Sequence, residues 1–555
     1  MIKAAVILGL FLILSIITAA YGGSETSILH SSDGVYPAIC FFFIIAAAAV
    51  SVKEIYFGLK SILRLKFTPN FGCTLTLLTA LIQTAASFFG GGVDTDAFHL
   101  FAPAAIISML WVIVPNILKA DNSLATINAM AKNGSVSVFK TVSDGGIEGS
   151  VKDTFTSGGT YARYSCKASF MSGLMKELSR PVPKPFGIGT AYILTLFFSA
   201  VTSVASGIIA KNALCGFTVF AAMITVCVPV SYTLSLAYNL AKRNGELAKS
   251  NSSLISFGSA LKLEKTSAVI FEASDITEKS ACSIHGVKSY GKRDPKKVTL
   301  YAASVMNAVN SPLTEIMAQA TAESEEEPPV AEETEIISGK GVKALTDGIP
   351  VILGTREFME ECGVLLPDED FEEKFLTGGR RLLYFAVGNE FSMLFTVSYH
   401  IKRSVASFFK HLSNKNIKII INSCDPNISA DYIIKKCRLK ENAAADPDEY
   451  QSSYFTEKSE KVEPSLPADV FTDGKIHSVS KLMYSAEKIS RALNTIPLIE
   501  YALAFAGAIL IAVPALTGSI SIVGNIYVLI IKIICPVLCV LIPAVLPERK
   551  QPKEK

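Results

Sequence analysis

The chain has 555 residues, half of them hydrophobic and only 18% charged, against about a quarter charged in an ordinary soluble chain. Its mean hydropathy is +0.40, with 52 basic against 49 acidic residues. These values exclude a wholly soluble enzyme, a disordered chain and a small secreted scaffold, and the near-even charge balance gives no basis for nucleic-acid binding. Eleven cysteines are scattered with no Cys-x-x-Cys pair, so they read as small buried residues rather than as a disulfide framework or a zinc site.

The apolar residues are gathered in uncharged runs toward both ends. A membrane-crossing helix needs about 20 largely apolar residues, and eight segments approach that: 4–21, 35–52, 71–89, 98–118, 187–210, 214–240, 499–516 and 520–546. The first also fits a signal peptide, because Lys3 precedes an apolar run ending near Ala19 and Ala20. Basic residues in short loops set orientation. Lys53, Lys60, Arg64 and Lys66 follow the second segment, Asp94 and Asp96 follow the third, and Arg549, Lys550, Lys553 and Lys555 make a basic tail over 547–555. One topology satisfies all of these: both termini and both large polar segments, 119–186 and 241–498, on the cytoplasmic side of the plasma membrane.

Lys532 lies near the middle of the last segment, where a charge either faces a partner or cavity or snorkels to the interface. Cys535 and Cys539 stand four apart on one helical face, a spacing a soft metal pair could use, but without further ligands the pair reads as small residues packed in the membrane. Gln83 and Trp111 take structural readings, as a packed amide and an interfacial ring.

In the larger polar segment, Ala268-Val269-Ile270-Phe271 is a short apolar run ending in Glu272, the pattern of a buried strand. Residues 391–398 and 417–422 read as further strands, each followed by a helix, over 403–412 and 429–439. That alternation implies a parallel sheet, with Glu272 and Asp425 converging at its carboxyl edge. Between these regions lies an α+β insert with helices at 312–320 and 358–362 and strands at 335–337 and 351–354. The run 323–335, with seven glutamates, reads as a solvated loop. Polar residues 441–467 read as a linker or a collapsed remnant, and 479–493 as a helix entering the seventh segment.

Laid out in this order, the chain resembles the P-type ATPases, in particular their heavy-metal-transporting branch. The resemblance rests on 250–274 with Ala260-Leu261-Lys262-Leu263-Glu264-Lys265, and on 337–363 with Gly339-Lys340-Gly341-Val342-Lys343-Ala344, Asp347-Gly348 and Leu353-Gly354. It rests also on the stretch from Ala468-Asp469-Val470 to Arg491. It implies a polytopic α-helical membrane protein of about eight transmembrane helices carrying a cytoplasmic α/β HAD-like phosphorylation domain split by an α+β nucleotide-binding-like insert. The implied parts are helices one to four over 1–118, an actuator-like domain over 119–186, and helices five and six over 187–240. The phosphorylation-like domain takes 241–281 and 391–498, its insert 282–390, and helices seven and eight 499–546. ATP and Mg are the implied cofactors, Gly339, Gly341, Ala344 and Pro312 the nucleotide contacts, and Pro229, Lys532, Cys535 and Cys539 the ion pathway.

The departures from the family pattern are as informative. The phosphorylation motif Asp-Lys-Thr-Gly-Thr reads Glu272-Ala273-Ser274-Asp275-Ile276, one residue short, so the nucleophile is a methylene longer and its lysine is lost. Misplacement by about 1 Å can cost a hundredfold in rate. Thr-Gly-Asp reads Ser423-Cys424-Asp425, the adenine-contacting His-Pro reads Ser311-Pro312, and Cys-Pro-Cys reads Val228-Pro229-Val230. Neither the Thr-Gly-Glu of the actuator nor the magnesium-binding Gly-Asp-Gly-x-Asn-Asp has a counterpart. Glu272, Asp275 and Asp425 are thus the catalytic positions in degenerate form, and no metal ligand set is complete. The sequence favours a pump-shaped membrane protein with a binding or regulatory role toward a membrane partner. Two alternatives stay open: a working cation pump with altered motifs, and a sensor that binds nucleotide without hydrolysing it.

Overall fold

The computed structural model describes residues 1–23, 34–89, 99–131, 136–142, 147–148, 150–151, 162–277, 282–322, 326–337, 339–368 and 372–545. Gly145, Gly146, Gly149, Gly158 and Gly159 lie outside them, as do the basic tail and part of the glutamate run. The chain divides into two compact units.

One unit comprises residues 1–128, 179–246 and 485–549. Its helices are α1 (Ile2–Gly23), α2 (Val35–Val50), α3 (Val52–Leu63), α4 (Pro69–Phe89), α5 (Ala102–Ser108), α6 (Leu110–Ala131), α7 (Ile188–Ile209), α8 (Ala213–Cys227), α9 (Tyr232–Leu247), α10 (Ile476–Leu516) and α11 (Asn525–Val545). The expected eight segments all fall on helices, but among the described residues only five are long and apolar enough to cross a bilayer. The pair α2 and α3, bent by 92°, would make a sixth, and the apolar part of α11 is shorter. The chain is therefore a membrane protein with several spanning helices, its apolar surface matched to a lipid bilayer.

Within this unit α8 is buried along most of its length, whereas α7 leaves Ile193, Leu194, Phe197, Phe198, Val201 and Val204 exposed, as a lipid-facing stripe requires. The two helices approach closely at Gly216, where a Cβ would stand 2.6 Å from the Ser203 carbonyl oxygen. Small residues permit that approach between membrane helices. Pro229 lies in the break between α8 and α9, where it can neither donate to the helix ladder nor fit its sterics.

The other unit comprises residues 129–178 and 247–484 and holds two large sheets. The first has eight strands. Its path runs β13 (Ala444–Ala445), β12 (Lys418–Asn422), β5 (Ala268–Glu272), β2 (Ala162–Ala168), β1 (Val136–Thr141), β16 (Val470–Thr472) and β4 (Ser253–Leu254), with β14 (Val462–Glu463) also pairing β2. The β13, β12, β5 and β2 strands are parallel; β1, β16 and β4 continue antiparallel. A separate short pair joins β3 (Met171–Ser172) to β15 (Leu466–Pro467).

The second sheet is antiparallel, in the order β6 (Cys282–Ser289), β11 (Glu390–Tyr399), β10 (Arg381–Val387), β9 (Ile349–Gly354), β8 (Gly341–Thr346) and β7 (Ala331–Ile337). The strand expected at 391–398 in the parallel sheet is β11, and it belongs here instead. Only Gly388 and Asn389 separate β10 from β11, and so short a connection closes an antiparallel hairpin, never a parallel crossover. The polar stretch 441–467, expected as a linker, contains the helix Glu449–Glu460, started by a reciprocal capping box between Asp448 and Gln451.

The segment after the fourth apolar run does not form a body of its own. Its β1 and β2 enter the eight-stranded sheet, with Arg163 of β2 opposite Val269 of β5. One apolar core joins Val138, Tyr164, Cys166, Ala168, Ile270, Ile420, Phe455 and Phe471, residues drawn from both parts of the sheet and the helix that covers it.

Candidate functional site

The β5 strand is buried from Ala268 through Phe271 and ends at Glu272, where the chain turns into the short helix Ala273–Ile276. Glu272 and Asp275 form a reciprocal capping box: each carboxylate accepts a backbone N–H at the other's position, 3.4 Å in the case of Glu272 N–H to Asp275. The two expected candidates are therefore brought together, and each holds the turn. Burial, and then the neighbouring Glu272, pushes Asp275 up to about 8. Near neutral pH it is mainly the uncharged acid, which is a poor nucleophile.

Both acids line a cavity of about 220 Å³ at the carboxyl edge of β5. Its other polar walls include Ser165 and Lys167 of β2, Asn422 of β12, and Asp473 and Lys475 after β16. Asn422 sits in register with Glu272. Its side chain accepts from Ser452 Oγ at 2.7 Å and donates to Thr456 Oγ1 at 3.1 Å, which fastens the helix Glu449–Glu460 over the strand end. The position of the family's phosphate-holding lysine is Ala273, buried. Lysines reach this cavity from Lys167 and Lys475, both outside the motif.

Asp425, in the loop after β12, is not among the residues lining that cavity, although β12 is paired with β5. Its carboxylate accepts from the Tyr399 hydroxyl and, at 3.0 Å, from the Asn427 backbone N–H. Burial pushes it up to about 6, against the lowering effect of those two bonds. A carboxylate so occupied supports the loop after β12 rather than reaching the Glu272 cavity.

In the second sheet, Gly339 and Gly341 serve the turn from β7 to β8. Gly341 pairs with Gly354, and a Cβ on it would fall 2.2 Å from the Leu353 carbonyl oxygen. Lys340 between them is ion-paired to Glu361 at 2.6 Å. Ala344 and Pro312 are buried. Asp347-Gly348, both at positive φ, close the β8–β9 hairpin. Close backbone packing at Gly341 and Gly354, and positive φ at Gly339 and Gly348, account for the glycines of this stretch.

In the membrane unit, Pro229, Lys532 and Cys535 line one small cavity; Cys539 is buried but is not among its lining residues. Among the described residues no group of three or more His, Cys, Asp and Glu side chains is placed to hold a metal ion. The cavity has a further wall residue, Glu500, 4% exposed. Its carboxylate accepts from Ser231 N–H and Ser231 Oγ, each at 2.7 Å, and from Tyr232 N–H at 2.8 Å. The sequence reading passed over Glu500 because the span frame began at residue 499, which gives an acid there the look of an interfacial residue. The signal was a single carboxylate in a long uncharged stretch.

No family model matches the chain. Among curated proteins, a copper-exporting P-type ATPase of Staphylococcus saprophyticus is 31% identical over 100 residues, 18% of this chain and 13% of that protein. A probable copper-exporting P-type ATPase V of Mycobacterium tuberculosis is 25% identical over 162 residues, 29% of this chain and 21% of that protein. The chain thus spans less than a quarter of the length of these curated relatives. The crystal structure of a zinc-transporting PIB-type ATPase in an E2.Pi state aligns over 98% of each chain, at 11% identity and a TM-score of 0.49. The resemblance to heavy-metal P-type ATPases, drawn above from the residues, is met again in these sequence relatives.

Proposed function

We propose that this chain is a non-pumping member of the heavy-metal P-type ATPase family, held in the plasma membrane with both termini and the soluble unit cytoplasmic. Its role is to bind or regulate, through the Glu272 cavity or through a partner in the same membrane, and it does not couple ATP hydrolysis to transport.

The observation that carries this reading is the seat of the β1–β2 segment. In the resemblance, the segment after the fourth span is a separate actuator whose loop dephosphorylates the acyl phosphate. Here that segment supplies two strands to the sheet that contains Glu272 and shares its core. It cannot travel to and from the site without opening the sheet. The cavity chemistry agrees: the acid nearest to Glu272 is largely protonated, and Ala273 supplies no cation for a transferring phosphoryl group. The substituted Val228-Pro229-Val230 offers no thiolate pair for soft-metal cargo.

Purified full-length protein in lipid vesicles, assayed for vanadate-sensitive ATP hydrolysis with and without Cu(I) or Zn(II), tests the reading. We expect no metal-stimulated turnover. Turnover that is stimulated by metal and abolished in Glu272→Gln would return the chain to the pumps.

A further inference from the structure

Three helices of the membrane unit leave between them a cleft of about 460 Å³ that their own side chains do not fill. To its walls α7 gives Leu194 and Phe198, α8 gives Met223 and Cys227, and α10 gives Phe505 and Ala508. Leu194 and Phe198 on one side, and Phe505 on the other, are exposed although they line it. The cleft therefore opens sideways between α7 and α10, through the lipid-facing surface.

Its dimensions decide what fits. The lining runs over residues 498–508 of α10 and 187–198 at the start of α7. At about 1.5 Å per residue each stretch rises roughly 15 Å, one leaflet of a hydrocarbon core about 30 Å thick. Spread over that depth, the volume gives a mean section of roughly 30 Å². A helix with its side chains is about 10–12 Å across and needs roughly 80–110 Å², so a partner's helix does not enter. A hydrocarbon chain, whose carbons keep neighbours at about 4 Å, needs roughly 20 Å² and does. Water gains nothing in so apolar a space, and an empty cleft forfeits the dispersion contacts of its lining.

The two ends differ. Thr195 inside the cleft spends its hydroxyl on the Cys227 carbonyl oxygen, at 3.4 Å. The remaining polar side chains of the lining, Thr190 and Tyr501, stand at the end where α7 begins, and there Tyr501 donates to the Phe186 carbonyl oxygen at 3.1 Å. The stretch 179–186 leading to this mouth carries Arg180 and Lys184 and no acid, and Lys184 is exposed. Basic side chains and the first turn of a long helix both favour negative charge. We propose that the cleft is a phospholipid site: it takes one acyl chain, and an anionic head group rests at the Lys184 end. The site lies wholly within the membrane unit and involves no nucleotide, so the inference goes beyond the non-pumping reading, and the failure of either leaves the other standing.

The experiment offers full-length protein in mild detergent equal amounts of phosphatidylglycerol and phosphatidylcholine with the same chains. The protein is then exchanged into lipid-free detergent and weighed intact by native mass spectrometry. Wild type is expected to keep about one phosphatidylglycerol per chain, several-fold over phosphatidylcholine. Lys184→Gln is expected to remove that preference. Ala191→Phe with Ala508→Phe fills the cleft at both ends and is expected to lose nearly all bound lipid, whereas Ala200→Phe, an equal addition on the exposed face of α7 outside the lining, keeps it. Ala508→Phe alone shortens the cleft, so a mixture of long-chain and short-chain phosphatidylglycerol should leave the short one bound, a reversal that only folded protein can show. Wild type that sheds all phospholipid, or holds both head groups equally, overturns the proposal. So does an Ala508→Phe protein that binds lipid with the wild-type chain-length preference, or an Ala200→Phe protein that loses lipid as fully as the filled variant.

Discussion

Replacing Asp469 by Asn tests whether the β1–β2 segment is locked into the sheet. The guanidinium of Arg163 in β2 is 1% exposed, and its Nη1 donates to the Phe139 carbonyl oxygen at 2.9 Å and to Asp469 Oδ2 at 3.1 Å. Asp469 precedes β16, the strand on the far side of β1, so this one contact ties three strands together. Removing one partner of a buried ion pair costs about 3–5 kcal/mol, because the other charge stays buried and unbalanced. Asp469 keeps 14% exposure, which places the cost at the low end, about 3 kcal/mol. At 1.4 kcal/mol per tenfold, amide hydrogen exchange along residues 162–168 should then quicken by about a hundredfold. The double replacement Arg163→Met with Asp469→Leu should leave that exchange near wild type, since a well-packed apolar pair often substitutes for a buried ionic one. Exchange that changes less than about threefold in Asp469→Asn would refute the reasoning: the guanidinium would then reach water and the segment would not be seated.

Asp275 supplies a pH dependence. Its pKa is raised from the ordinary carboxylate value to about 8, so the folded state holds its proton from about pH 4 to about pH 8 while the unfolded chain does not. The stability it contributes is fully present in acid and is lost as pH rises through 8; Asp275→Asn should flatten that decline in thermal unfolding curves taken between pH 5 and 9. Tyr399→Phe removes the hydroxyl that Asp425 accepts, and should raise the Asp425 pKa above its present value of about 6 in a carboxyl-resolved NMR titration, with a stability loss of about 1–3 kcal/mol. Gly341→Ala should destabilise the antiparallel sheet by roughly 1–3 kcal/mol, since the new methyl meets backbone at Leu353; Gly339→Ala, with open space around it, should cost about 1–2 kcal/mol, all from its positive φ. Cu(I) or Zn(II) offered to the full-length protein should not remain at stoichiometric level after desalting. A site that persists and is lost on Pro229→Ala would contradict the thiol count at that break.

Much of this architecture was legible in the residues. Uniformly apolar runs of span length dictate membrane helices, and the buried run Ala268–Phe271 ending in an acid dictates a central strand with its carboxyl edge at Glu272. Asp347-Gly348, quoted above only for the family resemblance, also carries the positive φ at both residues that its hairpin turn requires. Sheet membership was not legible. Strand β11 has the apolar content of a parallel core strand, and only the two-residue turn before it, a local feature overlooked among stronger patterns, assigns it to the antiparallel sheet. The pairing of β2 with β5 joins residues about a hundred positions apart, and nothing in the periodicity of Ala162–Ala168 names its partner. The helix Glu449–Glu460 was hidden by its polarity, because the face it buries rests on a few residues such as Phe455, Ser452 and Gln451. At the sites, Glu272 and Asp275 were found from the motif they have lost. Lys167 and Lys475 had no motif to betray them, and only tertiary placement puts them at the cavity; for Glu500 the one cue was its isolation in a long uncharged stretch.

The central claim, that the fold has outlived its phosphoryl-transfer chemistry, is tested most directly by acyl-phosphate formation. Full-length protein is incubated with γ-labelled Mg-ATP beside Glu272→Gln, with a phosphorylating relative as control, and quenched in acid. The account predicts no label on this chain under conditions that label the relative. A hydroxylamine-sensitive label that disappears in Glu272→Gln would contradict it and show that Glu272 still accepts phosphate.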